Sequence, residues 1–282
     1  MKSLLVLLAL ILALPLARAV EPAYPPLVLP HTQIRPLPRS ANGRDYQLFV
    51  ALPPGYATSG KKYPVLYLCD GYWDFTLVNG FYGNLRYDQV VPDFIIVGFG
   101  YQHASTNAEF DVLRRYDYTI VPDAGDPKGE HTGHAADFLA VIETEIIPFV
   151  EMEYRVDPSF RALNGNSLGG LFSLYAMLAK PGLFQAHIAA SPSCPPALFA
   201  LEEKHAKSGA RLNARLFMTG AEKEGRGFLA DIKRFNERLA SRHYDGLKYQ
   251  WRLIDGEGHT GTKAESYNRG VRFAFEPLKP AS

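Results

Sequence analysis

Arg161-Ala162-Leu163-Asn164-Gly165-Asn166-Ser167-Leu168-Gly169-Gly170-Leu171-Phe172 is the stretch on which the fold turns. A short strand is predicted over Arg161 to Asn164 and a helix over Leu168 to Ala179, stopped by Pro181. Between them lies Gly165-x-Ser167-x-Gly169, the G-x-S-x-G pattern of a nucleophile elbow. A serine at so tight a strand-to-helix turn is strained, and side chains at either flanking glycine would clash. The turn also aims the Leu168 N–H, and the positive end of the helix, at the place where a tetrahedral oxyanion would form. A bare G-x-S-x-G also describes a plain glycine-rich turn or a phosphate loop. The latter needs a following Lys-Ser/Thr, which is absent.

Outward from the elbow, strands and helices alternate. Ala135 to Glu153 reads as a helix before it. Ala186 to Ala190 and Ala214 to Thr219 read as strands after it, followed by a helix over Phe228 to Ser241, a strand over Lys248 to Ile254 and a helix over Lys263 to Phe275. Thr262-x-x-Glu265 has the spacing of a capping box for that last helix. Upstream, Tyr46 to Leu52 alternates as a strand. Pro64 to Cys69 and Phe94 to Val97 are continuous apolar runs, as expected of strands buried on both faces. This rhythm implies an α/β fold: an α/β-hydrolase fold with a mostly parallel central sheet and helices on both faces.

Residues 1–19 read as an export signal: Lys2, an apolar run from Leu4 to Leu16, and Ala17-Arg18-Ala19 as a cleavage site. Thirteen residues broken by Pro15 are too few to span a ~30 Å hydrocarbon core. The expected organisation is a leader (1–19), a proline-rich extended arm (20–41) and one domain (42–282). The expected location is periplasmic or secreted. Removing the leader takes Lys2 and Arg18 and no acid, so 30 basic against 29 acidic residues become 28 against 29. With no basic stripe, nucleic acid is not an expected partner, and no later run suggests stable membrane insertion. The oligomeric state is left open. Cys69 and Cys194 are the only cysteines; a disulfide and two buried thiols are both open.

A serine hydroxyl needs a base, which in this fold comes last in the chain. His259, in Asp255-Gly256-Glu257-Gly258-His259 after the last strand, fits that place. His131 and His134 form a weak metal pair with no third ligand nearby, so no metal or other cofactor is expected. The carboxylate should follow the penultimate strand, where Thr219-Gly220-Ala221-Glu222-Lys223-Glu224-Gly225 offers Glu224, preferred, and Glu222. Asp255 and Glu257 are fallbacks. The second oxyanion donor should come from Asp70-Gly71-Tyr72-Trp73, with Gly71 permitting the turn and Tyr72 or Trp73 presenting an N–H. Tyr72, Trp73, Phe75, Phe81 and Tyr82 either wall a substrate pocket or pack in the core.

At these residues the chain resembles the Putative esterase family, which contains esterase D, enterobactin-type siderophore esterases, feruloyl esterases and mycolyltransferases. The resemblance runs from about Asn42 to Phe275. It rests on Asn42-Gly43-Arg44-Asp45-Tyr46, Tyr63-Pro64-Val65-Leu66-Tyr67-Leu68-Cys69-Asp70-Gly71, Arg115-x-Asp117-Tyr118-Thr119, the elbow, Ser191-Pro192-Ser193 and Gly256-x-Gly258-His259. It implies a cofactor-free serine hydrolase of small-molecule carboxylic esters, of the siderophore-esterase kind, with Ser167 and His259 carried over. The family's acid, often three residues after the glycine, falls here on Lys223. Two rivals use the same scaffold: an acyltransferase to a sugar or lipid alcohol, and a catalytically inactive binding protein.

Overall fold

Eight strands pair into one sheet in the computed structural model, which describes residues 27–279. The leader (1–19) and the start of the arm lie outside the described residues. By contacts the chain divides into Met1–Pro30 and His31–Ser282. In the first unit, 27–30 carry no helix or strand.

The strands are β1 (Thr32–Pro36), β2 (Tyr46–Ala51), β3 (Tyr63–Leu68), β4 (Ile95–Tyr101), β5 (Val156–Asn166), β6 (Ala186–Ala190), β7 (Ala214–Ala221) and β8 (Leu247–Ile254). Their spatial order is β1-β2-β4-β3-β5-β6-β7-β8. β1 and β2 run antiparallel, as do β2 and β4, and every other pair is parallel. The arm expected at 20–41 is therefore partly sheet. Residues 32–36 extend the edge by pairing with β2, and Pro36, which has no N–H to give, ends the strand.

The helices are α1 (Tyr56–Ser59), α2 (Gly71–Tyr87), α3 (Asn107–Tyr118), α4 (Ala135–Val141), α5 (Ile147–Glu153), α6 (Leu168–Ala179), α7 (Pro196–Ser208), α8 (Arg226–Arg242) and α9 (Lys263–Phe275). The helix expected over 135–153 is continuous but carries a π-helical turn at Ile142–Ile146. Pro148, in the first turn of α5, cannot donate to the preceding turn, and the widened turn absorbs the missing bond. The capping box expected at Thr262 and Glu265 does not form. Thr262 has helical backbone, its hydroxyl bonds Ser266 Oγ at 2.9 Å, and Glu265 pairs with Arg269. A capping box does form on α3, between Thr106 and Glu109.

One face of the sheet packs α2 and α9. Gly270 of α9 sits so close that a Cβ would meet Ile188 Cγ2 at 2.6 Å, and Phe94 stacks on Phe275. The other face carries α6, whose Phe172 and Ala176 join Tyr67, Val97, Phe99 and Leu163 in one core cluster. Leu171, Leu174 and Met177 of α6 join Leu216 and Met218 of β7 and Ile232 and Phe235 of α8 in the next. The parallel strands present their C-terminal ends on one edge, where a crevice forms in open α/β sheets.

Candidate active site

Ser167 occupies the turn between β5 and α6 with φ 58° and ψ −115°, a strained backbone for a residue with a side chain. Its N–H donates to the Ala190 carbonyl at 3.0 Å, and its own carbonyl accepts from Ser193 N and Leu171 N. Both flanking glycines are sterically required: a Cβ on Gly165 would lie 2.3 Å from the carbonyl carbon of Gly169, and one on Gly169 would lie 2.8 Å from Cys69 Cβ. Ser167 and Leu168 are each half-buried, so the hydroxyl is not sealed in the core. As the first residue of α6, Leu168 has no earlier helical carbonyl to receive its N–H.

The histidine loop follows β8, and the acid loop follows its neighbour β7. His259 Nδ1 lies 2.9 Å from Glu224 Oε2. The Glu224 side chain is 2% exposed and that of His259 37%, so a carboxylate in the wall meets a ring open to solvent. Phe228 of α8 presses edge-on to the imidazole at 5.0 Å. Backbone bonds zip the two loops together, Glu222 N to Ile254 O at 2.9 Å and Lys223 N to Glu257 O at 2.8 Å. Glu222 points elsewhere: its Oε2 accepts from Gly256 N at 2.8 Å, a bond that draws its pKa below the usual value. Among the described residues no carboxylate but Glu224 bonds the imidazole, and neither Asp255 nor Glu257 does. Ser167, Glu224 and His259 thus sit after β5, β7 and β8 on one edge of the sheet.

The expected loop is two residues long, Cys69 and Asp70. Asp70 is left-handed at φ 57°, and α2 begins at Gly71. Gly71 is needed for close approach rather than for the turn, whose left-handed residue is Asp70, because a Cβ on Gly71 would meet the Phe99 carbonyl oxygen at 2.7 Å. The Trp73 N–H is taken by Asp70 O at 2.9 Å, which removes it as an oxyanion donor. The first two amides of α2, Gly71 and Tyr72, precede any helical carbonyl that could receive them.

Two of the expected pocket aromatics are core. Phe75 is buried against Gly98 and Phe49. Tyr82 is buried with its hydroxyl between Phe94 N and Phe94 O. Helix periodicity turns both onto the sheet, whereas Tyr72 is exposed and Trp73 half-exposed. Trp73 Nε1 donates to Asn107 Oδ1 at 2.7 Å, and Tyr72 stacks on Phe110 at 5.2 Å. Phe81 is half-buried on α2.

Sequence reading missed a buried ion pair behind the elbow. Arg114 of α3 grips Asp70 with two bonds, Nε to Oδ1 at 2.6 Å and Nη2 to Oδ2 at 2.8 Å, and Nη2 reaches the Asn166 carbonyl at 3.4 Å. The Asp70 carboxylate raises the Arg114 pKa against the opposing effect of burial. Asp70-Gly71 was visible in the sequence, but nothing local pointed to its partner.

His131 and His134 do not make a metal site. Both His134 nitrogens are engaged, Nδ1 with Asp137 and Nε2 with Gly129 O at 2.8 Å each, and the ring stacks on Tyr116. Among the described residues no group of three or more His, Cys, Asp or Glu could hold a metal. Cys69 and Cys194 are both buried, free thiols, and burial pushes both up in pKa. No helix among the described residues is long and apolar enough to cross a membrane.

The Putative esterase family model matches residues 40–255. The chain is 29% identical over 271 residues to the ferri-bacillibactin esterase BesA of Bacillus subtilis (strain 168), covering 89% of this chain and 92% of that protein. It is 34% identical over 163 residues to the siderophore enterobactin esterase of Emericella nidulans, covering 52% and 53%. Among solved structures, the BES protein from Bacillus cereus gives a TM-score of 0.78 at 26% identity, over 89% of this chain and 97% of that one. An IroE-like serine hydrolase from Shewanella oneidensis also gives 0.78, at 27% identity over 89% and 82%. The fold, the elbow and a family match across most of the sequence agree: the chain belongs to the Putative esterase family and is a carboxylic ester hydrolase of the α/β-hydrolase fold.

Proposed function

We propose that the chain is a serine esterase in which Ser167 is the nucleophile, His259 the general base and Glu224 the acid that orients it. The observation that carries this reading is the His259 Nδ1 to Glu224 Oε2 bond at 2.9 Å, on the same sheet edge as a serine in elbow conformation. A carboxylate on Nδ1 fixes the tautomer with Nε2 free to accept a proton and stabilises the imidazolium that follows. Ser167 Oγ attacks the ester carbonyl as Nε2 takes its proton. The N–H of Leu168, with that of Gly71 or Tyr72, holds the oxyanion. Collapse expels the alcohol, which takes the proton back from Nε2. Water, deprotonated in turn by Nε2, then releases the acid from the acyl-enzyme and restores Ser167.

The relatives' names point to the substrate: they are esterases of ferri-bacillibactin and of enterobactin, and a siderophore ester is the proposed substrate here. Tyr72 and Trp73 are the exposed aromatic surface offered to it. Export by the 1–19 leader is part of the same reading; the mature N-terminus of secreted or periplasmic protein checks it.

The test is Ser167→Ala, assayed by fluorophosphonate labelling and by hydrolysis of a panel of aryl, feruloyl and siderophore esters. Labelling should vanish and kcat fall by about 10⁴-fold or more. Parental labelling in the variant refutes the nucleophile. Strong turnover of simple esters with none of the siderophore esters refutes the substrate.

A further inference from the structure

The most unusual polar group outside the triad is Asp74, a buried carboxylate one turn into α2. Its Oδ1 accepts from Lys263 Nζ at 2.7 Å and its Oδ2 from Tyr267 OH at 2.5 Å. Lys263 and Tyr267 are four residues apart, so both project from one face of the first turn of α9. Asp74 is itself four residues after Asp70, the carboxylate held by Arg114. The start of α2 is therefore gripped twice, toward α3 and the elbow through Asp70 and toward α9 through Asp74.

The first turn of α9 is gripped twice as well. Thr262 Oγ1, Ser266 Oγ and Thr219 Oγ1 form a buried hydroxyl chain with steps of 2.9 and 2.8 Å, tying α9 to the end of β7, the strand that leads to Glu224. Thr262 N bonds Gly258 O at 3.2 Å and Lys263 N bonds Thr260 O at 3.3 Å, so His259 lies within the turn that runs directly into this anchor.

We propose that the Asp74–Lys263–Tyr267 clasp is a positioning device that holds the histidine-bearing end of α9 in register with the oxyanion-binding end of α2; this rests on the serine-esterase reading above. Away from this end, apolar contacts already hold the two helices to the sheet, Phe75 of α2 on Phe49 and Gly98, and Gly270 of α9 on Ile188. A buried ion pair adds little net stability over an apolar pair of like volume, because desolvation offsets the attraction. It does fix a distance and a direction. This one lies where those quantities matter for rate, between the amides that meet the oxyanion and the imidazole that moves the proton.

The test compares Lys263→Met, Lys263→Arg, Tyr267→Phe and the double variant Asp74→Leu with Lys263→Met, scoring kcat, KM, fluorophosphonate labelling rate and Tm on a small soluble ester. A displacement of about 1 Å costs about 100-fold in rate, so Lys263→Met should lower kcat and labelling by that order with KM essentially unchanged. Lys263→Arg should recover most of it, and Tyr267→Phe should show a smaller loss of the same kind. The double variant leaves no buried charge unpaired. It should recover most of the Tm lost in Lys263→Met, short of the cost of the Tyr267 hydroxyl it leaves without Asp74, while its kcat stays low, a result a merely structural role would not give. A parental kcat in Lys263→Met, or a kcat that returns with Tm in the double variant, overturns the clasp. If Ser167→Ala is dead while Lys263→Met is fully active, the clasp falls and the esterase reading stands. If Ser167→Ala is active, both fall.

Discussion

On the side of the site built from α2, α3 and the elbow, two carboxylates are buried and each is held by a partner from a distant element. Asp70 meets Arg114 and Asp74 meets Lys263, with glycines at 71, 165 and 169 where helix and strand backbones touch. On the side built from the loops after β7 and β8, the groups are neighbours in space by backbone pairing, and the central one, His259, is 37% exposed. The first side cannot shift without leaving a charge unpaired or overlapping two backbones. The second can adjust, and its side chains can change without unpacking the core. A rigid cradle for developing charge thus faces a more forgiving arm for proton transfer, so the two sides should respond differently to substitution.

The largest expected effect on the loop side is Glu224→Gln. The amide keeps the shape but not the charge that stabilises imidazolium, and it can turn its NH₂ toward Nδ1 and favour the wrong tautomer. A kcat loss of about 10⁴-fold follows from the corresponding change in serine proteases. Stability should not fall with it. Glu224 Oε1 is buried with no hydrogen-bond partner, so the carboxylate is already costly to hold there. Tm should stay level or rise. A Tm that drops with kcat would place Glu224 on the structural side of the comparison.

The same division decides what could be read from sequence. α6, β6 and α9 are reproduced to the residue, Leu168–Ala179, Ala186–Ala190 and Lys263–Phe275. Each is an apolar or amphipathic run bounded by turn residues. The loop side was more legible, since chain order and the strand before each loop point to His259 and put Glu224 and Glu222 ahead of the fallbacks Asp255 and Glu257. The buried side was less so. α2 carries Gly80 and Gly83 and is ringed with aromatics. α3 buries the charged Arg114 and Asp117 on its inward face, which leaves only Phe110 and Tyr118 as an apolar signal there. Asp74 and Lys263 are 189 residues apart, and no local pattern announces such a pair. Two capping-box spacings differ only in context. Thr106 is extended and exposed enough to cap, whereas the buried hydroxyl of Thr262 is claimed by Ser266.

The buried side should also dominate the pH dependence of stability, and Asp117 of α3 isolates one part of it. Burial pushes its carboxyl up to about 7, against the opposing pull of Arg44 and the hydroxyls of Tyr101 and Tyr46. With a folded pKa above the unfolded one, the native state holds the proton more tightly. Its contribution is full below about pH 4 and is lost as pH rises through about 7. The total is on the order of a few kcal/mol. Asp117→Asn cannot ionise, so the stability of the parent relative to this variant should shrink between pH 4 and 7. A parent that stays level with the variant over that range would mean that Arg44, 3.7 Å away, keeps the carboxylate charged.

The smallest effect separates the two glutamates of the acid loop. Glu222 is exposed, and its side chain accepts the bond from Gly256 N and meets the side chain of Asp255. Removing it in Glu222→Ala leaves the bonds that set the register of the two loops, Glu222 N to Ile254 O and Lys223 N to Glu257 O, because both are backbone. The freed Gly256 amide is exposed and can turn to water. Losing a bond this exposed should lower kcat by less than about tenfold. Tm should move by less than it does in Lys263→Met, since substitutions of exposed side chains have small effects on stability. The comparison with Glu224→Gln is the sharp one. If the two variants lose similar rate, the loop moves as a unit and the acid function is shared between them. A gap of about a thousandfold leaves Glu224 as the residue that orients the base and Glu222 as a brace on the turn beside it.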